Sequence, residues 1–186
     1  MPRQADEHLE ARIVQAARKL WCSHGARSFT LRSVARTAGT TTTTVYKRFR
    51  NKEALLLALA ESVQARLTAR TTSAAAIEDS YRRFLNFADQ HPHEYQLLWG
   101  PSWAELLGPG RARPIKEWLL AKFADRFGGE PRDYVLSYYA LFLLVHGTAN
   151  LLIVTRDRRM KDEMMHSCLA ICDALVANIK VLKRSS

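Results

Sequence analysis

The sequence predicts an all-α protein of about nine helices: an N-terminal three-helix helix-turn-helix module, then a larger helical domain. Three observations predict it. Apolar residues recur every three or four positions along most of the chain, the spacing of one helix face. No run of alternating residues bounded by turn signals reads as a strand. Glycines, prolines and good capping residues fall mainly between the periodic segments.

Each helix has its own grounds. Leu9, Ile13, Ala16, Ala17, Leu20 and Trp21 place the first over 7–24. Gly25 stops it, because glycine takes the left-handed cap without steric cost. Thr30 caps a second helix, 31–38, that buries Leu31, Val34 and Ala35, and Gly39 closes it. Five threonines, Thr40 to Thr44, lead into Val45 and Phe49, which gives a third helix over about 42–49. Asn51 caps a fourth, 52–70, with Leu55, Leu56, Leu59, Val63 and Leu67 on its apolar face. Thr71 to Ser73 marks a boundary, so the expected domains are 1–70 and 71–186.

Beyond it, Ile77, Tyr81, Phe84, Leu85 and Ala88 make an amphipathic helix that ends before Pro92, and Tyr95, Leu98 and Trp99 sit on a short one. Gly100, Pro101, Gly108, Pro109, Gly110 and Pro114 predict a loop. A helix over 115–127 ends at Gly128-Gly129. The uncharged run 134–155 is a long apolar helix. The last helix, 157–182, has Met164, Cys168, Ile171, Leu175, Asn178 and Leu182 at alternating four–three spacing, a seam for another helix.

The chain has 186 residues, 47% hydrophobic and 25% charged, enough to bury a core and too apolar for disorder. Three cysteines make no disulfide framework and suit a reducing compartment. No secretory signal is read at the N-terminus, so a cytoplasmic location is expected. As a membrane span, 134–155 carries too many small and polar residues at its centre, Ser137, His146, Gly147, Thr148 and Asn150. A buried helix at a subunit interface accounts for it better.

The net charge of +10 is uneven. Residues 1–70 hold 13 Lys/Arg against 5 Asp/Glu, and residues 71–186 hold 15 against 13. Gly25 to Lys52 contains seven basic residues and no acidic one. A basic stretch on a folded module points to a polyanion.

The helix-turn-helix gives that charge a use. Helix 31–38 braces, the turn centres on Gly39, and the third helix enters the major groove of duplex DNA. Val45 and Phe49 bury the reader, leaving Thr41, Thr42, Thr44, Lys47 and Arg48 to the groove. Threonine offers a hydroxyl to bases or phosphates and a methyl to thymine. Tyr46, Lys52 and the backbone N–H groups at helix starts suit phosphate. The candidate DNA-binding set is Thr30, Arg32, Thr41, Thr42, Thr43, Thr44, Tyr46, Lys47, Arg48 and Lys52. The competing reading of the threonine run is a weak linker, since β-branched residues start helices poorly.

Residues 9–55 resemble the DNA-binding module of the TetR family of bacterial transcriptional regulators. Ile13, Ala16, Ala17, Leu20, Gly25, Thr30, Val34, Ala35, Ala38, Gly39, Tyr46, Phe49, Lys52 and Leu55 carry the resemblance. It implies an all-helical homodimer in which a connecting helix joins three DNA-binding helices to a ligand-responsive domain. The family's phosphate-holding tyrosine and lysine fall on Tyr46 and Lys52. The family's Val-Ser-x-Gly is Thr40-Thr41-Thr42-Thr43 here, and its histidine before the phenylalanine is Arg48. Thr41 can replace the serine as cap and phosphate ligand. Thr43 adds bulk near the DNA, so an operator preference does not carry over. Tyr81, Phe84, Ala88, His91-Pro92, Tyr95, Trp99 and His146-Gly147-x-Ala149 are similar to one C-terminal subgroup of the family.

Aromatic residues crowd the second domain. Most such residues are core, yet there are enough to line an apolar cavity with a few polar groups. The candidate ligand-binding set is Phe84, Phe87, Tyr95, Trp99, Trp103, Trp118, Tyr138, Phe142, His146 and Asn150, for a small apolar or aromatic effector. Glu94, Glu105 and Glu117 leave a cationic ligand open. Gly147 admits close helix approach, so homodimerisation is expected through the last two helices. Cys168 and Cys172 read as buried apolar thiols, and His91-x-His93 lacks further metal ligands. No nucleophile, metal or phosphate-loop motif is present, so no enzyme activity and no cofactor is expected. The expected function is a sequence-specific transcriptional regulator, a repressor released from a palindromic operator by its ligand. The alternative is a basic nucleic-acid-binding protein without sequence preference or inducer.

Overall fold

The computed structural model describes residues 3–99 and 114–179, and these are helical with no strand among them. The helices are α1 (Arg3–His24), α2 (Leu31–Thr37), α3 (Thr42–Arg48), α4 (Lys52–Thr72), α5 (Ile77–Gln90), α6 (Pro92–Trp99), α7 (Pro114–Phe127), α8 (Val135–Val154) and α9 (Arg158–Ala177). Short 3-10 turns at Gly25–Ser28 and Pro131–Tyr134 precede α2 and α8. The all-α architecture and its nine helices among the described residues match the sequence reading.

The chain forms two compact units that are not contiguous in sequence. One holds residues up to Ala65 together with the segment from His91 to Gly110, and the other holds Arg66–Gln90 and Arg111 onward. The connecting helix α4 is thus shared, and α6 groups with the N-terminal module.

In the first unit, α1 buries Ile13, Ala16 and Ala17 and packs on α2 and α6. Gly25 follows at φ 59 and turns the chain. The Trp21 ring meets Phe29 edge-on at 5.3 Å, and its indole N–H donates to the His93 carbonyl at 2.8 Å. Arg18 Nε pairs with Glu94 Oε1 at 2.7 Å, and the Cys22 thiol donates to the same oxygen at 3.1 Å. These contacts explain why α6 sits with α1: they give the buried Glu94 carboxylate the partners it needs. They also correct the reading of Glu94 as a ligand carboxylate. Glu117 is exposed, and Glu105 lies outside the described residues.

In the second unit, α5 turns Ile77, Ser80, Tyr81, Phe84, Leu85, Phe87 and Ala88 inward and packs on α8 and α9. The Tyr81 hydroxyl donates to Asp173, Lys161 pairs with Asp89 at 2.6 Å, and Arg126 with Glu78 at 2.7 Å. Helix α8 buries Ser137, Tyr138, Leu141, Val145, Thr148, Ala149 and Leu152. By length and composition, Pro131–Val154 would reach across a bilayer, with a mean hydropathy of 1.5. Leu136, Leu143, Leu151 and Val154 face outward.

Helix α9 turns only part of the expected seam inward in the single chain. Its inward residues are Cys168, Leu169, Cys172 and Val176, while Ile171 is 49% exposed and Asn178 is also exposed. Leu182 lies outside the described residues. The four–three series and the inward face share Cys168 and then diverge around the helix, so one helix carries two apolar faces. Cys168 and Cys172 are buried, as expected.

Candidate nucleic-acid interface

The bracing helix α2 is fixed at both ends. Thr30 Oγ1 accepts from the Ser33 N–H at 3.0 Å, and Ser33 Oγ accepts from the Thr30 N–H at 3.1 Å. This reciprocal box satisfies two helix-start groups at once. At the other end Gly39 adopts φ 66, its N–H reaches the Arg36 carbonyl, and the Thr40 N–H reaches the Ala35 carbonyl. That is a Schellman closure, and the left-handed residue requires glycine's freedom. Arg12 Nη2 adds a bond to the Ala38 carbonyl at 3.0 Å. A cation at a helix C-terminus opposes the negative end of its dipole.

The turn delivers the chain into α3. Thr41 is its N-cap, with Oγ1 accepting from the Thr44 N–H at 3.1 Å and lying 2.8 Å from Thr44 Oγ1. The cap offsets the poor helix propensity of four β-branched residues, Thr42 to Val45. Val45 is fully buried and Phe49 nearly so, which seats one side of the seven-residue helix. Asn51 then caps α4 through Oδ1 and the Ala54 N–H at 2.8 Å.

What remains outward is polar. Thr30, Arg32, Thr41, Thr43, Tyr46, Lys47 and Lys52 are exposed, and Thr42, Thr44 and Arg48 are half-buried. Tyr46 is 54% exposed, unusual for a large ring next to a buried Val45. Lys52 opens α4 with its ammonium 5.9 Å from the centre of the Phe29 ring. Arg36 and Arg50 are exposed beside them. Hydroxyls, one phenol and several cations thus stand on three consecutive elements with no acidic residue from Gly25 to Lys52. The arrangement offers donors to a polyanion and no carboxylate to repel it. Sequence reasoning missed Ser33 and Arg12. The spacing Thr30-x-x-Ser33 was a legible capping signal, whereas nothing local to Arg12 points to a carbonyl 26 residues away.

The ten candidate ligand residues fall into separate groups. Tyr95 and Trp99 stack at 4.4 Å on α6, within the first unit. Phe84 and Phe87 are buried on α5, Phe87 with the Arg66 guanidinium 6.0 Å from its ring centre. Tyr138, Phe142 and His146 form a stacked row along α8, at 5.6 and 5.3 Å. Burial pushes the His146 pKa below its ordinary 6.5. Trp118 is half-buried with Lys122 beside it. Asn150 is exposed and donates to the His146 carbonyl of its own helix. Trp103 lies outside the described residues. Sequence reasoning passed over three buried hydroxyls without hydrogen-bond partners, those of Thr68, Thr71 and Ser137. Their periodicity resembles that of any core position, so no sequence signal marks them.

Residues 13–59 match the family model described as bacterial regulatory proteins, tetR family. No curated protein sequence matches the chain. Among solved structures, a TetR regulator from Streptomyces coelicolor superposes with a TM-score of 0.68 at 21% identity, covering 94% of this chain and 98% of its own. TetR from Acinetobacter baumannii AYE gives 0.66 at 19% identity, covering 93% and 97%. A single-residue variant of TetR from that same organism, solved in complex with minocycline, gives 0.57 at 23%, covering 93% and 97%. At these identities the structures establish the fold alone. Residues 13–59 thus carry the sequence pattern of the tetR family of bacterial regulatory proteins, set within a fold like that of the TetR structures.

Proposed function

We propose that this DNA-binding regulator is a cytoplasmic, dimeric repressor, released from a palindromic operator by a small apolar or aromatic ligand. The observation that carries the reading is α3, capped by Thr41 and anchored by Val45, with Thr43, Tyr46 and Lys47 turned outward. Phosphate contacts from Tyr46, Lys52 and the helix starts would set register, while Thr42, Lys47 and Arg48 would read base edges.

Residues 1–70 are assigned to DNA binding and 71–186 to effector binding and dimerisation. Helix α8 supports the dimer. It presents Leu136, Tyr139, Leu143, Leu151 and Val154 outward, with Gly147 among them and open space where a Cβ would stand. A contiguous outward apolar stripe on a soluble regulator calls for a partner, and a second copy supplies one by twofold symmetry. Helix α9 also exposes Met160 and Ile171. Two readers held by such an interface would meet successive major grooves about 34–36 Å apart. The unpartnered hydroxyls of Thr68, Thr71 and Ser137 support an effector with acceptor groups, since buried donors seek partners. The minocycline-bound TetR neighbour lends the ligand-responsive reading further support. The ligand acts only through its different affinity for two dimer states.

The test is selection of bound sequences from random duplex DNA at physiological salt. An enriched inverted repeat is the expected result. Binding without an enriched sequence, fading smoothly as salt rises, would replace this reading with that of a basic, non-specific nucleic-acid binder.

A further inference from the structure

The first helix carries a second cationic surface that the reader does not use. A cleft of about 550 Å³ opens between α1 and the C-terminal end of α2. Arg12, Gln15 and Lys19 line it at one-face helical spacing, with Arg18 beside them and Thr37 and Ala38 opposite. No aspartate or glutamate lines it. The volume is that of a small-molecule site, about 300–1,000 Å³.

Two of its three cations already hold the module together. Arg18 is neutralised by the buried Glu94 carboxylate at 2.7 Å. Arg12 gives one N–H to the neutral Ala38 carbonyl, at the end of the helix from which the turn into α3 departs. Neither Arg12 nor Lys19 pairs with a carboxylate among the described residues. The cleft therefore presents two uncompensated charges, an amide and the hydroxyls of Ser23 and Thr37, and one of those charges braces the turn into the reader.

We propose that this cleft is a regulatory site for a small multivalent anion of the polyphosphate or polycarboxylate class, and that filling it weakens operator binding. Such an anion would draw the Arg12 guanidinium into a charge-assisted pair. A multivalent anion held also by Lys19 attracts the guanidinium by full charge, where the Ala38 carbonyl offers only a dipole, so the anion draws Arg12 away from it. The Ala38 carbonyl then loses its brace, and the turn that aims α3 loosens. The regulatory half of the proposal rests on α3 being the DNA reader; the binding half does not. A DNA phosphate has the same chemistry as a free anion, and the experiment separates the two sources.

The probes are inorganic pyrophosphate and citrate, each at constant ionic strength. Calorimetry without DNA should show binding to the wild-type chain, weakened about tenfold in Lys19→Gln by loss of one charge-assisted contact. Added pyrophosphate should lower wild-type affinity for the selected operator, and do so less in Lys19→Gln. Absence of calorimetric binding at millimolar probe overturns the site. Binding with no change in operator affinity overturns the regulation. A flatter salt dependence of DNA binding in Lys19→Gln without added anion would make the cleft a seat for the DNA backbone, and would also overturn the proposal. A protein that prefers no DNA sequence would remove the regulatory half along with the operator reading, while calorimetry would still decide the site.

Discussion

The reader segment and helix α8 expose opposite chemistry. Around α3 the outward side chains are threonines, a tyrosine and cations, and the backbone is held by side-chain caps at Thr30, Thr41 and Asn51. Along α8 the outward side chains are Leu136, Leu143, Leu151 and Val154, with Leu143 at 65% and Val154 at 71% exposure. A surface intended for a hydrated polyanion can stand in water unpartnered. A surface of hydrocarbon cannot do so at low cost, each side chain leaving about 1.5–3 kcal/mol of burial unrealised. The first kind of site is complete within one chain, and the second is where a second chain is proposed to pack.

The sharpest way to break that contrast is Leu143→Glu. A carboxylate in the middle of the stripe should dissociate the dimer in sedimentation experiments. Operator affinity should fall about 100-fold or more, because two half-sites bound independently lose the benefit of linkage. Helix content should hold, since Leu143 is exposed in the single chain. A variant that stays dimeric would place the interface elsewhere.

The contrast also explains what the sequence made legible. Thr30, Gly39, Thr41 and Asn51 announce local events, each deciding the backbone within three residues, and the structure puts them where the spacing required. Val45 and Phe49 were legible for the same reason. The aromatic residues of the second domain were not separable into core and cavity, because both need the same apolar face at the same period. One misreading came from a long-range partner. Glu94 looked like a free carboxylate until Arg18, 76 residues away, accounted for it. The α9 seam was read from periodicity alone, which does not say which of two overlapping apolar faces turns to the chain's own core. The Arg12 brace on Ala38 is likewise long-range.

Within the N-terminal unit, the caps are joined by one buried charge pair, and its two members should respond unequally. Arg18→Ala takes the cation away from a carboxylate that is 1% exposed, at a cost of about 3 kcal/mol in urea unfolding. Glu94→Ala should cost less, because the Arg18 side chain is 35% exposed and can turn to water. Equal losses would mean that packing of α6 on α1, not the ion pair, dominates. A smaller effect separates positioning from reading on the DNA face. Tyr46→Phe and Lys52→Ala should weaken binding alike on every operator variant, and Lys52→Ala should reduce the salt slope by about one. Lys47→Ala should change the ranking of variants, and losses equal on all of them would remove its base-reading role.

The smallest expected effect tests whether the inner row of α8 is core, in contrast to its outer stripe, the proposed interface. His146 stacks on Phe142 at 5.3 Å, and burial lowers its pKa from the ordinary 6.5. The fold therefore favours the neutral ring, while the unfolded chain protonates first as pH falls. Its contribution is complete above about pH 6.5 and is lost progressively below it, as the unfolded state takes up a proton that the native state resists. His146→Phe keeps the stacking and removes the titration. As pH falls from 7, the thermal midpoint of the wild type should drop further than that of the variant. Parallel pH profiles would mean that His146 is as well hydrated in the fold as in the unfolded chain. The row from Tyr138 to His146 would then be open to water, and it would belong with the exposed stripe instead of the core.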